Sequence, residues 1–174
     1  GEVVEYVEGK KATFEAAEKE PENFRAEIVK DNYNNIQDKY YGNGDVMAST
    51  PKHGTHVSGI IAAERNNGIG MNGVADNVKI MAIRAVPDGD EYDKDIALGI
   101  IYAVDHGAKV INMSFGKGYS PEKKWVDSAI QYAAAHDVLL LHAAGNDSKN
   151  IDENENYPNQ FSFYTGKGAE NFIT

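Results

Sequence analysis

The chain has 174 residues, enough for one domain with a buried core, and 41% of them are hydrophobic while 25% are charged. The formal net charge of −10 argues against a nucleic acid or an anionic membrane surface as a partner. The absence of cysteine excludes disulfides, thiolate metal sites and a cysteine nucleophile. No apolar run approaches the roughly 20 residues of a membrane-spanning helix, so no membrane span is expected.

Residues 1–50 are predicted to be an irregular acidic segment, distinct from residues 51–174. A weak helical pattern at 12–20 ends at Pro21, and the pair Asn43-Gly44 is typical of a turn.

Helices and strands are predicted to alternate from residue 52 onward. In chain order they are a helix at 56–63, a buried strand at 78–86, a helix at 95–104, a strand at 109–113, a helix from Pro121 to about His136 and a strand at 138–142. Gly107 stands where a helix C-terminal cap belongs, and Ser120 is placed to cap the later helix with its hydroxyl. This alternation predicts an α/β fold, a parallel β-sheet with helices on both faces. In such folds the loops after the carboxyl ends of the strands carry function, here 87–93, 114–120 and 143–150.

The stretch His53-Gly54-Thr55-His56-Val57-Ser58-Gly59 allows three interpretations. The histidines could bind a metal, although no third ligand stands at a suitable spacing, or they could be unrelated residues beside a helix. Alternatively, one is a general base at a helix N-terminus, flanked by small residues that let a substrate backbone approach. The run HGTHVSGIIAA resembles the histidine motif of the subtilisin family of serine proteases. The resemblance implies that His53 is the catalytic base and that His56 is structural.

A second block, Val110-Ile111-Asn112-Met113-Ser114-Phe115-Gly116, could by itself be a plain core strand. It resembles the family strand ending in Ser-Leu-Gly, which binds the substrate as an added antiparallel strand through backbone hydrogen bonds. The resemblance therefore implies that Ser114, Phe115 and Gly116 bind a peptide or protein substrate. Phe115 replaces the commoner leucine and should narrow the neighbouring pockets.

A third block, Ala143-Ala144-Gly145-Asn146-Asp147, is by itself only a strand end followed by a turn. It resembles the oxyanion-hole segment of the same family. The resemblance implies that the Asn146 amide donates to the developing alkoxide, while Ala143, Ala144 and Gly145 line the pocket for the substrate residue before the cut. The three blocks occur in the family's order.

The run Gly68-Ile69-Gly70-Met71-Asn72-Gly73 matches the dinucleotide pattern G-x-G-x-x-G. Nucleotide binding needs a strand before the glycines and a helix after them, and here the predicted order is reversed. In the subtilisin family this loop often binds calcium, which here implies Asn67 as a side-chain ligand with the carbonyls of Ile69 and Met71. Calcium takes six or more oxygens, and this segment offers about half of them. No cofactor is required by the implied reaction.

Two members of a Ser-His-Asp triad have no recognisable motif in this sequence. Asp31 is the only remotely similar acid, and Ser148 and Ser162 lack the small-residue context of a nucleophile. We therefore expect the chain to be the central part of a catalytic domain, inactive by itself, whose catalytic Asp and Ser lie outside it. The alternative is a non-catalytic peptide-binding pseudoprotease.

Two further expectations concern location and assembly. The family resemblance implies a secreted or extracytoplasmic protein, although no signal peptide is visible. Residues 110–113 and 138–141 are expected at the centre of a sheet whose apolar surface is incompletely covered, which predicts self-association.

Overall fold

A computed structural model describes residues 4, 7 and 11 and the ranges 23–47, 51–87 and 89–174. The chain forms two compact units, Gly1–Gly42 and Asn43–Thr174. The weak helix predicted at 12–20 lies outside the described residues, and the predicted boundary near residue 50 stays a prediction.

The first unit contains a short π-helix, Arg25–Val29, which ends at Lys30 in a left-handed conformation with φ of 63°. The Arg25 side chain forms an ion pair with the buried carboxylate of Asp31. Its guanidinium carbon also lies 5.2 Å from the ring centroid of Tyr33 and 5.0 Å from that of Tyr41. The Arg25 side chain therefore holds the start of the π-helix against residues that follow the helix in the chain.

The described residues of the second unit form an α/β structure with three α-helices and three short strands. In chain order these are α1 at Lys52–Ala62, α2 at Asp93–Asp105, β1 at Val110–Met113, α3 at Lys123–Ala135, β2 at Leu139–His142 and β3 at Phe172–Ile173. All strand pairs are parallel, in the order β1-β2-β3, and Leu140 of β2 faces Ile111 on one side and Phe172 on the other. The predicted α/β class with a parallel sheet and helices is confirmed.

The core forms where α2 and α3 pack together beside the sheet. Apolar residues recur at helical spacing in both helices, which gives each one a continuous buried face. The largest apolar contributors from these elements are Ile96, Ile100, Val126, Ile130, Met113, Leu140 and Phe172. This packing fixes the carboxyl ends of β1 and β2, where the predicted substrate-binding segments begin.

Gly107 ends α2 as predicted. Its φ is 87°, its N–H donates to Val104 O at 3.0 Å, and the N–H of Ala108 donates to Ala103 O at 2.9 Å. This is the Schellman arrangement, in which the residue after the cap needs a positive φ that glycine adopts without strain.

The predicted hydroxyl cap of α3 is wrong. Ser120 Oγ donates instead to Asp93 Oδ1 at 2.8 Å, and the N–H of Glu122 donates to Asp93 Oδ2 at 2.7 Å. The helix begins at Lys123, after these contacts. A carboxylate is a stronger acceptor than a hydroxyl, so a buried acid from α2 satisfies the start of α3.

The predicted buried strand at 78–86 is also wrong. The structure assigns no strand there, and Val78, Ile80 and Met81 are 52%, 47% and 41% exposed. Apolar composition favours a strand, but a strand exists only when its backbone pairs with a neighbour, and β1 pairs with β2 alone among the described strands. Val110 is accordingly 54% exposed, so β1 lies at the sheet edge and not at its centre.

Candidate active site

The carboxyl ends of β1 and β2 lie side by side. Met113 faces His142 in the parallel register, and the N–H of Ala143 donates to Met113 O at 3.2 Å. The segments that follow these strands, Ser114–Gly116 and Ala143–Asn146, therefore leave the same edge of the sheet. We call the space between them the cleft.

The predicted substrate-binding backbone is accessible. Ser114 and Phe115 are half-buried, and Gly116 is exposed. Ser114 Oγ accepts a hydrogen bond from Asn112 Nδ2 at 2.8 Å.

The second segment turns sharply just before Asn146. Ala143, Ala144 and Asn146 are exposed, and Gly145 has a φ of 94°, a conformation that L side chains rarely adopt. The turn leaves the side-chain amide of Asn146 open to solvent at the carboxyl edge of the sheet.

Asn156 joins the two segments, although no sequence motif points to it. Its Nδ2 donates to Ala143 O at 3.0 Å. A Cβ placed on Gly116 would lie only 2.7 Å from Asn156 Oδ1, so any larger residue at position 116 would displace the Asn156 carboxamide. Asn156 stands in a polar run of acids and asparagines, and nothing in the sequence distinguishes it from its neighbours.

His142 forms the buried end of β2 beneath the cleft. The residue is 8% exposed, and the centroid of its ring lies 6.5 Å from that of Phe115 and 5.9 Å from that of Phe172. Burial lowers the pKa of His142, and a hydrogen bond with the Phe115 backbone opposes that shift only in part. The ring is therefore neutral at neutral pH. Its Nε2 has no hydrogen-bond partner among the described residues.

Lys117 holds the far end of the first segment in place. Its backbone pairs with that of Tyr157, through N–H to O distances of 3.1 and 2.9 Å. Its Nζ lies 2.8 Å from Asp93 Oδ1 and donates to Glu91 O at 2.6 Å. The Lys117 and Asp93 side chains are 7% and 2% exposed, so this ion pair is removed from water.

Two other groups near the cleft have shifted pKa values. Burial raises the pKa of Glu91, whose Oε1 is buried and has no partner among the described residues. A hydrogen bond to Glu155 raises the pKa of Tyr157 to about 12, so the phenol stays protonated at neutral pH.

His53 is the second residue of α1 and is exposed. Within the described part of the chain no hydrogen bond or ion pair holds its ring. The structure brings the two strand-end segments together, and the role of His53 as the base beside them stays a prediction.

The glycine-rich run after α1 has a structural explanation. Gly73 donates to Ala63 O at 2.9 Å, and Val74 donates to Ile60 O at 2.9 Å. A Cβ on Gly73 would lie 2.3 Å from Ala63 N, so only glycine lets the loop return against the helix end. This close approach accounts for the last glycine of the G-x-G-x-x-G match without a nucleotide.

The residues predicted to bind calcium, Asn67, Ile69 and Met71, lie in the exposed loop after α1. Asn67 Oδ1 accepts a hydrogen bond from the N–H of Ile69 at 2.9 Å. No group of three or more His, Asp or Glu side chains suited to a metal occurs among the described residues. Because the predicted ligands are the Asn67 amide oxygen and two main-chain carbonyls, calcium binding by this loop stays a prediction.

The remaining triad candidates have other contacts. Asp31 is buried against Arg25. Ser162 is 8% exposed, and its Oγ accepts from the N–H of Tyr164 at 3.2 Å. Ser148 lies in a left-handed turn with φ of 55°.

The chain belongs to the subtilase family, whose family model matches residues 16–174. It is 43% identical over 120 residues to a cell wall-associated protease of Bacillus subtilis (strain 168), an alignment covering 68% of this chain and 13% of that protein. It is 35% identical over 141 residues to thermitase of Thermoactinomyces vulgaris, covering 77% of this chain and 49% of thermitase. An intracellular serine protease of Paenibacillus polymyxa is 32% identical over 143 residues, covering 79% of this chain and 42% of that protein.

A solved structure with a similar fold is that of the S41 psychrophilic protease. The TM-score is 0.53 at 35% sequence identity, with 61% of this chain and 35% of that chain covered. The chain thus spans less than half the length of each of these relatives. No helix among the described residues has the length and apolarity to cross a membrane.

Proposed function

We propose that this chain forms part of a serine endopeptidase, to which it contributes the general base and an oxyanion-stabilising amide. The observation that carries the proposal is the shared strand edge from which Ser114–Gly116 and Ala143–Asn146 emerge. Family membership supports the reaction class, because the relatives described above are named as proteases. The catalytic serine and the orienting aspartate are proposed to lie outside this chain.

In the proposed reaction, His53 accepts the proton of the serine hydroxyl as its oxygen attacks the peptide carbonyl. The Asn146 amide donates to the negative oxygen of the tetrahedral intermediate. His53 then returns the proton to the leaving amine, which breaks the C–N bond and leaves an acyl-enzyme that water hydrolyses. The reaction needs no cofactor.

The substrate is proposed to lie along Ser114–Gly116 as an added antiparallel strand. Exposed backbone at Gly116 supports this, because main-chain donors and acceptors bind a peptide whatever its side chains are. The substrate side chain before the cut would enter the cleft beside Ala143–Gly145.

The test is peptide hydrolysis by the intact parent protein and two variants. His53→Ala should lose activity by about 10³-fold or more, as expected for removal of a triad member. Asn146→Ala should lose about 10² to 10³ in kcat with little change in KM, the magnitude known for the equivalent donor in subtilisin. Peptide binding without hydrolysis by the wild-type parent would instead support the pseudoprotease alternative.

The 174-residue chain alone is proposed to be inactive. It should neither hydrolyse peptides nor react with a fluorophosphonate probe, because Ser162 is buried and neither Ser148 nor Ser162 stands in the small-residue context of a nucleophile. Stoichiometric labelling of either serine would show that the nucleophile lies within this chain.

A secreted or extracytoplasmic location is part of the proposal. Relatives named as cell wall-associated and extracellular support it, although one relative is named as intracellular. Fractionation of the source cells tests it.

Calcium binding by the Asn67 loop also stays a proposal, and calorimetric titration of the chain with calcium tests it.

A further inference from the structure

We infer that Lys117 is a positioning residue for the substrate-binding segment Ser114–Gly116, and that its buried ion pair with Asp93 sets the affinity of the cleft for extended peptides. The inference rests on the proposed function, in which the peptide pairs with that segment. Lys117 follows the segment directly and lies outside the three sequence motifs.

Lys117 is fixed through its main chain and its side chain together. Its N–H donates to Tyr157 O at 3.1 Å, and its O accepts from the N–H of Tyr157 at 2.9 Å. Its Nζ bonds to Asp93 Oδ1 and to Glu91 O. The residue is therefore attached to two parts of the chain that lie on opposite sides of it in the sequence.

The neighbours of Lys117 are glycines that have little to hold them. Gly116 and Gly118 are both exposed, and a Cβ on Gly118 would meet open space. Glycine loses more conformational freedom than any other residue when its backbone is ordered. The contacts of Lys117 therefore supply order to a part of the chain that its own sequence leaves flexible.

The Asp93 carboxylate connects this anchor to the core. Its Oδ1 accepts from Lys117 Nζ and from Ser120 Oγ, both at 2.8 Å, and its Oδ2 accepts from the N–H of Glu122 at 2.7 Å. Asp93 begins α2, and Glu122 directly precedes α3. A displaced Lys117 would leave its ammonium buried without a carboxylate, which is strongly unfavourable. The end of the substrate-binding segment is thus held in one place relative to the two packed helices.

A fixed segment matters for a peptide that binds through its main chain. Such a peptide forms its hydrogen bonds at no further cost only when the backbone groups it meets are already aligned. Ordering the backbone of one residue during binding would lower the affinity by about 5- to 30-fold. A substrate with a single residue before the scissile bond forms few of these main-chain contacts, so it depends less on the anchor.

The test compares two substrates of the intact parent protein that share the residue before the scissile bond. They are succinyl-Ala-Ala-Pro-Phe p-nitroanilide, which is extended, and acetyl-phenylalanine ethyl ester, which is short. Lys117→Met should raise KM for the extended substrate by about 5- to 30-fold with kcat nearly unchanged, and should alter KM for the ester by less than about twofold.

The matched control is Lys124→Met, the same substitution at a lysine whose side chain is 49% exposed. Its Nζ lies 3.1 Å from Glu122 Oε2, and exposed ion pairs of this kind contribute little. The control should leave KM unchanged for both substrates.

A second variant separates positioning from folding stability. Asp93→Leu with Lys117→Met removes the anchor without leaving a buried charge, so it should keep the raised KM for the extended substrate. An unchanged KM in Lys117→Met, equal effects on the two substrates, or a normal KM in the double variant overturns this inference but not the proposed function. A wild-type parent that hydrolyses neither these substrates nor casein overturns both.

Discussion

Replacing Asp93 by leucine should destabilise the chain strongly, because it leaves the Lys117 ammonium buried without its carboxylate. The two side chains are 2% and 7% exposed and 2.8 Å apart. Removing one partner of a buried ion pair costs about 3–5 kcal/mol of unfolding free energy. The hydrogen bonds that Ser120 and Glu122 donate to Asp93 are lost as well, and the estimate of the lost unfolding free energy includes them. Urea unfolding followed by the fluorescence of Trp125, the single tryptophan, measures the change.

The matched control is the double variant Asp93→Leu with Lys117→Met. Methionine retains most of the lysine volume without the charge, so the double variant should be about 2 kcal/mol more stable than the single one. A double variant no more stable than Asp93→Leu would refute the reasoning. The loss would then come from the start of α3 and not from an uncompensated charge.

Three further predictions concern pH and assembly. Burial lowers the pKa of His142, so the folded chain binds fewer protons at this residue than the unfolded chain does. The free energy of unfolding should therefore fall as the pH drops below 6.5. In the variant His142→Phe, the urea midpoint should change less over the same pH range. Burial raises the pKa of Glu91, so the free energy of unfolding should fall as the pH rises above 4.5. The variant Glu91→Gln should therefore raise the urea midpoint more at pH 8 than at pH 4. We predict that the chain self-associates, because the apolar side chains of Val78, Ile80 and Val110 are half-exposed. Sedimentation velocity measures this at tens of micromolar, a rough concentration for weak association. Detection of monomer alone would contradict the prediction.

The sequence alone determined the features that depend on local chemistry. The apolar spacing in 95–104 predicted α2, and Gly107 predicted its end, because a helix needs one buried stripe and a C-terminal residue with positive φ. The strands at β1 and β2 were predictable from short runs of Val, Ile and Leu between helical patterns. The histidine, Ser-Phe-Gly and Ala-Ala-Gly-Asn motifs led to the family that the comparisons show.

Tertiary structure alone decided which residues meet across the fold. Asp93 replaces Ser120 as the acceptor at the start of α3, and Asn156 enters the cleft from 13 residues beyond Ala143. Residues 78–86 are as apolar as β2, yet they form no strand because strand formation depends on a paired backbone. Hydrogen bonds between distant segments depend on how helices and strands pack, and neither the periodicity nor the composition of the sequence predicts that packing.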